Sequence, residues 1–261
     1  MQNQFTTSQW ADYATEGLTP KFKVYRFDDK KGKRFYYFQD INGEWQVAVG
    51  VTSVFGQIST DGKHIQQWKD DNPNWRELLD ASASYGTLEH AVFGGIMLGK
   101  GVDKDMVESM QTIAVQNDQS ADMPEKDVLS FLKFVEDVRL KPLLIEALLV
   151  WQDPDTNEFL AMTIDLLAEM TETVKTKVQK HEGFYVRGEN KGKPKIVDVI
   201  EQTEEKKLVI IDFKSNFFGK DKKLYYTDHR MQLIAARKAV EQNFGLSVDK
   251  CFNWSPNNWR K

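Results

Sequence analysis

Cysteine is nearly absent from this chain: Cys251 is the one thiol in 261 residues. An internal disulfide is therefore excluded, and a reducing compartment is expected. An iron-sulfur cluster, which needs several thiolate ligands, is excluded on the same ground. Long apolar runs are missing as well. None approaches the roughly 20 residues of a membrane helix, and the start Met1-Gln2-Asn3-Gln4 lacks the charged and apolar regions of a secretion signal. A cytoplasmic protein without membrane association is the expectation. Excess positive charge is the third absence. Lys and Arg number 35 against 39 Asp and Glu, a formal net charge of −4, so a polyanionic partner must be met by local patches rather than by the whole surface.

What is present fits a folded chain. A hydrophobic share of 41% with 12% aromatics suits one sizeable domain, residues 1–261, with a substantial core. Residues 22–54 read as strands separated by turns at Lys31-Gly32 and Asn42-Gly43, a β-rich N-terminal flap. Two helical stretches follow, about 62–79 and 84–98, the first interrupted by Pro73 and the second closed by Gly99 to Gly101. Pro124 opens another helix, in which Val128, Leu129, Leu132, Val135 and Val138 recur at helical spacing. Strands are expected at about 143–151, 159–170, 183–186, 196–200 and 208–214, then a helix over 228–244 and a last strand over 248–254. The fold class is α/β, a mixed central sheet flanked by helices.

Three patches alternate lysine with aromatic rings. Lys30-Lys31-Gly32-Lys33-Arg34 runs into Phe35-Tyr36-Tyr37-Phe38, and its Lys-Gly-Lys reads better as a solvated turn. Lys191, Lys193 and Lys195 form the second. The third, Lys220, Lys222 and Lys223 beside Tyr225 and Tyr226, begins six residues after Lys214 and is read as a nucleic-acid contact.

Chemistry concentrates in Gly86-Thr87-Leu88-Glu89-His90, Met162-Thr163-Ile164-Asp165 and Ile210-Ile211-Asp212-Phe213-Lys214. The run Leu208-Val209-Ile210-Ile211 reads as a buried strand, whose alternation puts Asp212 and Lys214 on one face. Asp165 closes a second apolar stretch, and a neighbouring strand would bring it within reach of Asp212. Two such carboxylates repel unless a cation lies between them, and hard oxygen ligands suit Mg²⁺ or Mn²⁺. D-x-K also begins at Asp28, Asp29, Asp61 and Asp221, where it reads as surface charge. Only Asp212 ends a strand-like apolar run. A lone histidine near a helix start is by itself more often a core or surface residue than a ligand.

Taken in order, with Gln232 in Met231-Gln232-Leu233-Ile234, the segments resemble the RecB-type branch of the PD-(D/E)XK nuclease superfamily. There G-x-x-x-H, a strand-borne Asp, D-x-K and a helical Gln follow one another. Val51-Thr52-Ser53-Val54, the stretch bearing Trp68 and Trp75, and then G-T-x-x-H look most like the mitochondrial genome maintenance exonucleases and their phage relatives, over about residues 51–240. The resemblance implies a restriction-endonuclease-like core and a metal-dependent DNA exonuclease of replication, repair or recombination, acting on DNA that is single-stranded or has a free end. It implies a Mg²⁺ or Mn²⁺ ion held by Asp165, Asp212, His90 and the main-chain carbonyl of Phe213. Lys214 would orient the attacking water or stabilise charge on the phosphate, and Gln232 would hold a nucleotide or the water's neighbours. Glu146, in an apolar strand, is expected either to contact this site or to form a structural salt bridge.

Two departures stand out. The tyrosine that often follows the Gln by four residues is Ala236 here. The 47 positions from Asp165 to Asp212 exceed what two adjacent strands need, so residues 171–206 read as an insertion. An enzyme and a catalytically silent nucleic-acid-binding protein on the same fold both remain open, and the pairing of two carboxylates with a lysine favours the enzyme.

Overall fold

A computed structural model describes residues 11–28, 34–58, 63–215 and 227–256. Its elements run β1 (Tyr13–Ala14), β2 (Lys23–Asp28), β3 (Arg34–Gln39), β4 (Trp45–Gly50), α1 (Val51–Ile58), α2 (Lys63–Asp71), α3 (Trp75–Met97), α4 (Lys104–Gln116) and α5 (Met123–Asp137). After these come β5 (Lys141–Gln152), β6 (Phe159–Phe184), β7 (Pro194–Phe213), α6 (Thr227–Phe244) and β8 (Lys250–Trp254). The eight strands form one mixed sheet with helices on its faces, the α/β architecture expected.

Strand β6 organises the sheet. One edge pairs antiparallel with β5, and the other is shared. There β4 pairs in parallel with Leu160 and Ala161, while β7 pairs antiparallel from Leu166 onward. Residues 162–165 lie between the point where β4 leaves and the point where β7 joins. The carboxyl ends of β4 and β7 therefore meet at this gap, and a crevice where neighbouring strands part is where open sheets commonly bind ligands.

Each face has its own core. On one, Ala235, Ala236, Ala239 and Val240 of α6 pack on Leu144, Ala147, Leu149, Ile164, Leu167 and Ile210. On the other, Phe93 of α3 and Phe131 of α5, with ring centroids 4.1 Å apart, cover Ile145, Leu166, Ala168, Val209 and Ile211. Strict alternation would put Ile145 with Ala147 and Ile164 with Leu166. Instead the members of each pair face opposite cores, so both strands slip by one residue at Glu146 and Asp165. Glu146 takes φ 48 there, and the ladder skips the pair it would make with Asp165. Left-handed backbone at a non-glycine residue costs of order 1–3 kcal/mol and concentrates at functional positions.

Several local expectations are corrected. The β-rich segment ends at Gly50, not at residue 54, because Val51-Thr52-Ser53-Val54 opens α1. Its inner face joins the core: Phe22, Val24, Tyr36, Phe38 and Ala48 pack with Leu148, Val150 and Ala161 of β5 and β6. Gly50 is required at the turn into α1, since a Cβ there would lie 2.8 Å from Tyr36 Cε2. The first two helices divide at Asn72–Asn74 around Pro73, and α3 then continues without a break through Ala81-Ser82-Ala83-Ser84, which contains no helix breaker. Helix α4 was not expected. Asp103 caps it by accepting a hydrogen bond from the Met106 amide at 3.1 Å, and it buries Met110 and Ala114. Residues 171–184 and 194–206 are the outer halves of β6 and β7, an antiparallel ribbon with a register shift between His181 and Phe184; the strand expected at 196–200 lies within it, whereas of the one expected at 183–186 only Gly183 and Phe184 are strand. Among the described residues, no helix is long and apolar enough to cross a membrane.

Candidate metal centre

The histidine arrives on α3 by close helix packing. A Cβ at Gly86 would lie 3.2 Å from Ser215 Oγ, so glycine lets the helix approach the segment that follows β7. One turn later His90 Nε2 lies 3.2 Å from the carbonyl oxygen of Phe213, which can only accept, so Nε2 carries the proton. Nδ1 then faces the acids, 3.5 Å from Glu146 Oε1 and 3.8 Å from Asp165 Oδ2.

Glu146 and Asp165 come from the two strands that slip, and Asp212 from the end of β7, which alternates regularly. Asp165 Oδ2 accepts the Phe213 amide at 2.7 Å, which ties the end of β7 to β6. Asp212 precedes that amide, and its Oδ2 lies 2.6 Å from Lys214 Nζ, an ion pair outside good hydrogen-bond geometry. Lys214 Nζ also donates to Gln232 Oε1 on α6 at 3.2 Å. Its own amide donates to the Trp254 carbonyl at 2.9 Å, so the parallel strand β8 fixes the D-x-K backbone. Met162, Asp165, Asp212, Gln232, Leu233 and Ala236 are among the residues that line the notch between the strands.

Protonation reflects this crowding. Burial raises the pKa of Asp165 most; His90 opposes the rise, Asp212 and Glu146 add to it, and the result is about 7. For His90, burial disfavours the imidazolium, but the hydrogen bond to Glu146 and the charges of Asp165, Glu146 and Glu89 outweigh it and hold the pKa at about 9. Without a cation the cluster thus retains protons that a metal would displace.

The residues fit a divalent ion. His90, Glu146 and Asp165 offer donor atoms that all lie within 4.8 Å of one another. Two carboxylates with one imidazole suit Mn²⁺ better than an all-oxygen set does. The Phe213 carbonyl spends one lone pair on His90 Nε2, a contact of the kind that fixes a ligand histidine's ring and tautomer.

His90, Glu146, Asp165, Asp212, Phe213, Lys214 and Gln232, all singled out in the sequence, come together here. Their grouping differs from the expected one: Glu146 joins His90 and Asp165, whereas Asp212 turns to Lys214. Lys220, Lys222, Lys223, Tyr225 and Tyr226 lie outside the described residues. Ala236, where a tyrosine was looked for, is buried and lines the notch. Glu89 was overlooked. It is fully buried beside His90, and its spacing from Tyr85 and Val92, both buried on α3, was the available signal. Models of protein families gave no match to this chain, and neither did characterised protein sequences.

Proposed function

We propose that this protein is a divalent-metal-dependent DNA exonuclease of the RecB-type PD-(D/E)XK kind, hydrolysing phosphodiester bonds in replication, repair or recombination. One observation carries the reading: His90, Glu146 and Asp165, far apart in sequence, bring donor atoms within 4.8 Å of one another, and Asp165 shares the notch between β4 and β7 with Asp212, the partner of Lys214. A binding protein has no use for three mutually repelling acids beside a lysine.

In this reading His90, Glu146 and Asp165 hold the ion, with Asp212 beside them. The bound metal supplies Lewis acidity at the scissile phosphate. Lys214, held between Asp212 and Gln232, places a cation where charge grows on the phosphate oxygens. Gln232 steers that ammonium by accepting a hydrogen bond from it, and the hydrogen bond from the Phe213 amide to Asp165 Oδ2 ties the end of β7 to β6.

The test is incubation of end-labelled linear single-stranded, linear duplex and circular DNA with Mg²⁺, Mn²⁺ or chelator, beside Lys214→Ala. Metal-dependent loss of linear DNA alone is expected. Cutting of circles would make the protein an endonuclease, and binding without any cleavage would make it a silent module on this fold.

A further inference from the structure

The sheet β2–β4 departs from the usual rule for antiparallel sheets. One face packs on the core and the other should be polar. Here the inner face carries Val24, Tyr36, Phe38 and Ala48, all buried. The outer face carries aromatic rings. Tyr25 pairs with Tyr37, which in turn pairs with Val47 on β4; Phe27 pairs with Phe35, and Gln39 with Trp45. Trp45 is 56% exposed and Val47 63%, and Tyr37 and Val49 are exposed too. The Tyr25 and Trp45 rings lie 5.2 Å apart, and Lys23 Nζ sits 5.5 Å from the Tyr25 centroid.

We infer that this face is a stacking platform that presents single-stranded DNA to the notch, a proposal that rests on the nuclease reading above. Three features favour unpaired nucleotides as the occupant. The rings stand in rows two residues apart along the strands, about 6.6 Å, and bases stacking on sheet-borne aromatics is a standard mode of single-strand recognition. No acidic residue alternates onto this face, in a chain whose net charge is −4, while Lys23 supplies a cation at its rim. The platform is also continuous with the site. Val49 pairs with Leu160, five residues before Asp165 on the same strand, which is about 17 Å. Leu160 packs into the core beneath α6, the helix that bears Gln232, so platform and notch share one side of the sheet.

The experiment is fluorescence anisotropy with a labelled 20-nucleotide oligothymidine and with a duplex of equal length, on metal-free full-length protein. Trp45→Ala and Tyr37→Ala should each weaken single-strand binding roughly fivefold to a hundredfold. Trp45→Phe and Tyr37→Phe, which keep a ring, should stay within about twofold, as should duplex binding by all four variants. Sedimentation and the urea midpoint run alongside. Wild-type binding of single strands with both Ala variants unchanged would overturn the platform and leave the nuclease reading standing. A wild type that binds no nucleic acid would overturn both. Loss of a dimer in the Ala variants without loss of affinity would assign the face to a second copy of the chain, and the proposal would fall.

Discussion

Strands β6 and β7 each live in two environments, and the halves obey different rules. In residues 159–170 and 208–213 the pair is flanked by β5 and β8 and covered by helices on both faces, so the sequence is nearly continuously apolar. Beyond Met170 and Lys207 the same two strands pair only with each other, among the described residues. Ion pairs such as Lys177–Asp198 at 2.7 Å and Lys180–Glu201 at 2.6 Å cross between them, and Ile196 and Ile200 stand exposed. A solitary two-stranded ribbon is marginal in water, whereas the inner half shares the stability of the whole core. The candidate site stands in the inner half, where its geometry is held from four sides.

That contrast can be broken at either end. The largest effect is expected at the notch: Lys214→Ala should lower cleavage on the order of 10²- to 10³-fold while the circular dichroism spectrum and DNA affinity persist. Retained cleavage would remove Lys214 from the mechanism. Next, Leu166→Ala empties a fully buried position of the inner half and should cost about 3 kcal/mol in urea unfolding.

Metal affinity sharpens the comparison further. An ion must displace the proton that His90 holds with a pKa of about 9 and, below about pH 7, that of Asp165 as well. Mn²⁺ binding, followed by calorimetry, should therefore tighten about tenfold per unit from pH 7 to 9 and more steeply below 7. The metal-free protein runs the other way. Both folded-state values lie above the ordinary 6.5 and 3.8, so this cluster's contribution to stability is complete in acid and lost as pH rises through 7 and 9. His90→Ala should remove the histidine's own share of both trends, while Asp165, no longer held down by the imidazolium, keeps its proton to higher pH. The smallest change belongs to the ribbon. Lys180→Ala removes an exposed pair and should shift stability by less than about 0.5 kcal/mol, and ribbon amides should exchange with solvent hydrogen well before those of Leu166 to Ala168.

The sequence made legible what depends on local pattern. The apolar run before Asp212 announces a buried strand, Pro73 and Pro124 mark helix boundaries, and Gln232 sits on the expected last helix. Gly86 was visible as part of a motif, but its reason, the approach of Ser215, is a tertiary contact. The slip at Glu146 and Asp165 was illegible because both neighbours of each residue are apolar, so a change of face leaves the pattern unaltered. The acid in an apolar strand marked Glu146 as a candidate site contact, but its place beside His90, with Asp212 turned to Lys214, depends on the slip. Helix α4 had a readable spacing in Met106, Val107, Met110, Ile113 and Ala114, and a capping aspartate, yet lies between glycine-rich and polar stretches that resemble a loop. The ribbon's length was obscured because its mixed charges and Gly183 resemble a break in strand structure.

The ribbon also separates two kinds of distance. Asp165 and Asp212 are tied through the Phe213 amide at the base of a hairpin whose outer strands pair, among the described residues, only with each other. Matched residues can be added to or removed from both strands away from that base, two by two, without altering which neighbours meet at the notch. Descent with gain and loss of residues can therefore stretch the interval between these two acids, while the positions of their carboxylates stay under selection.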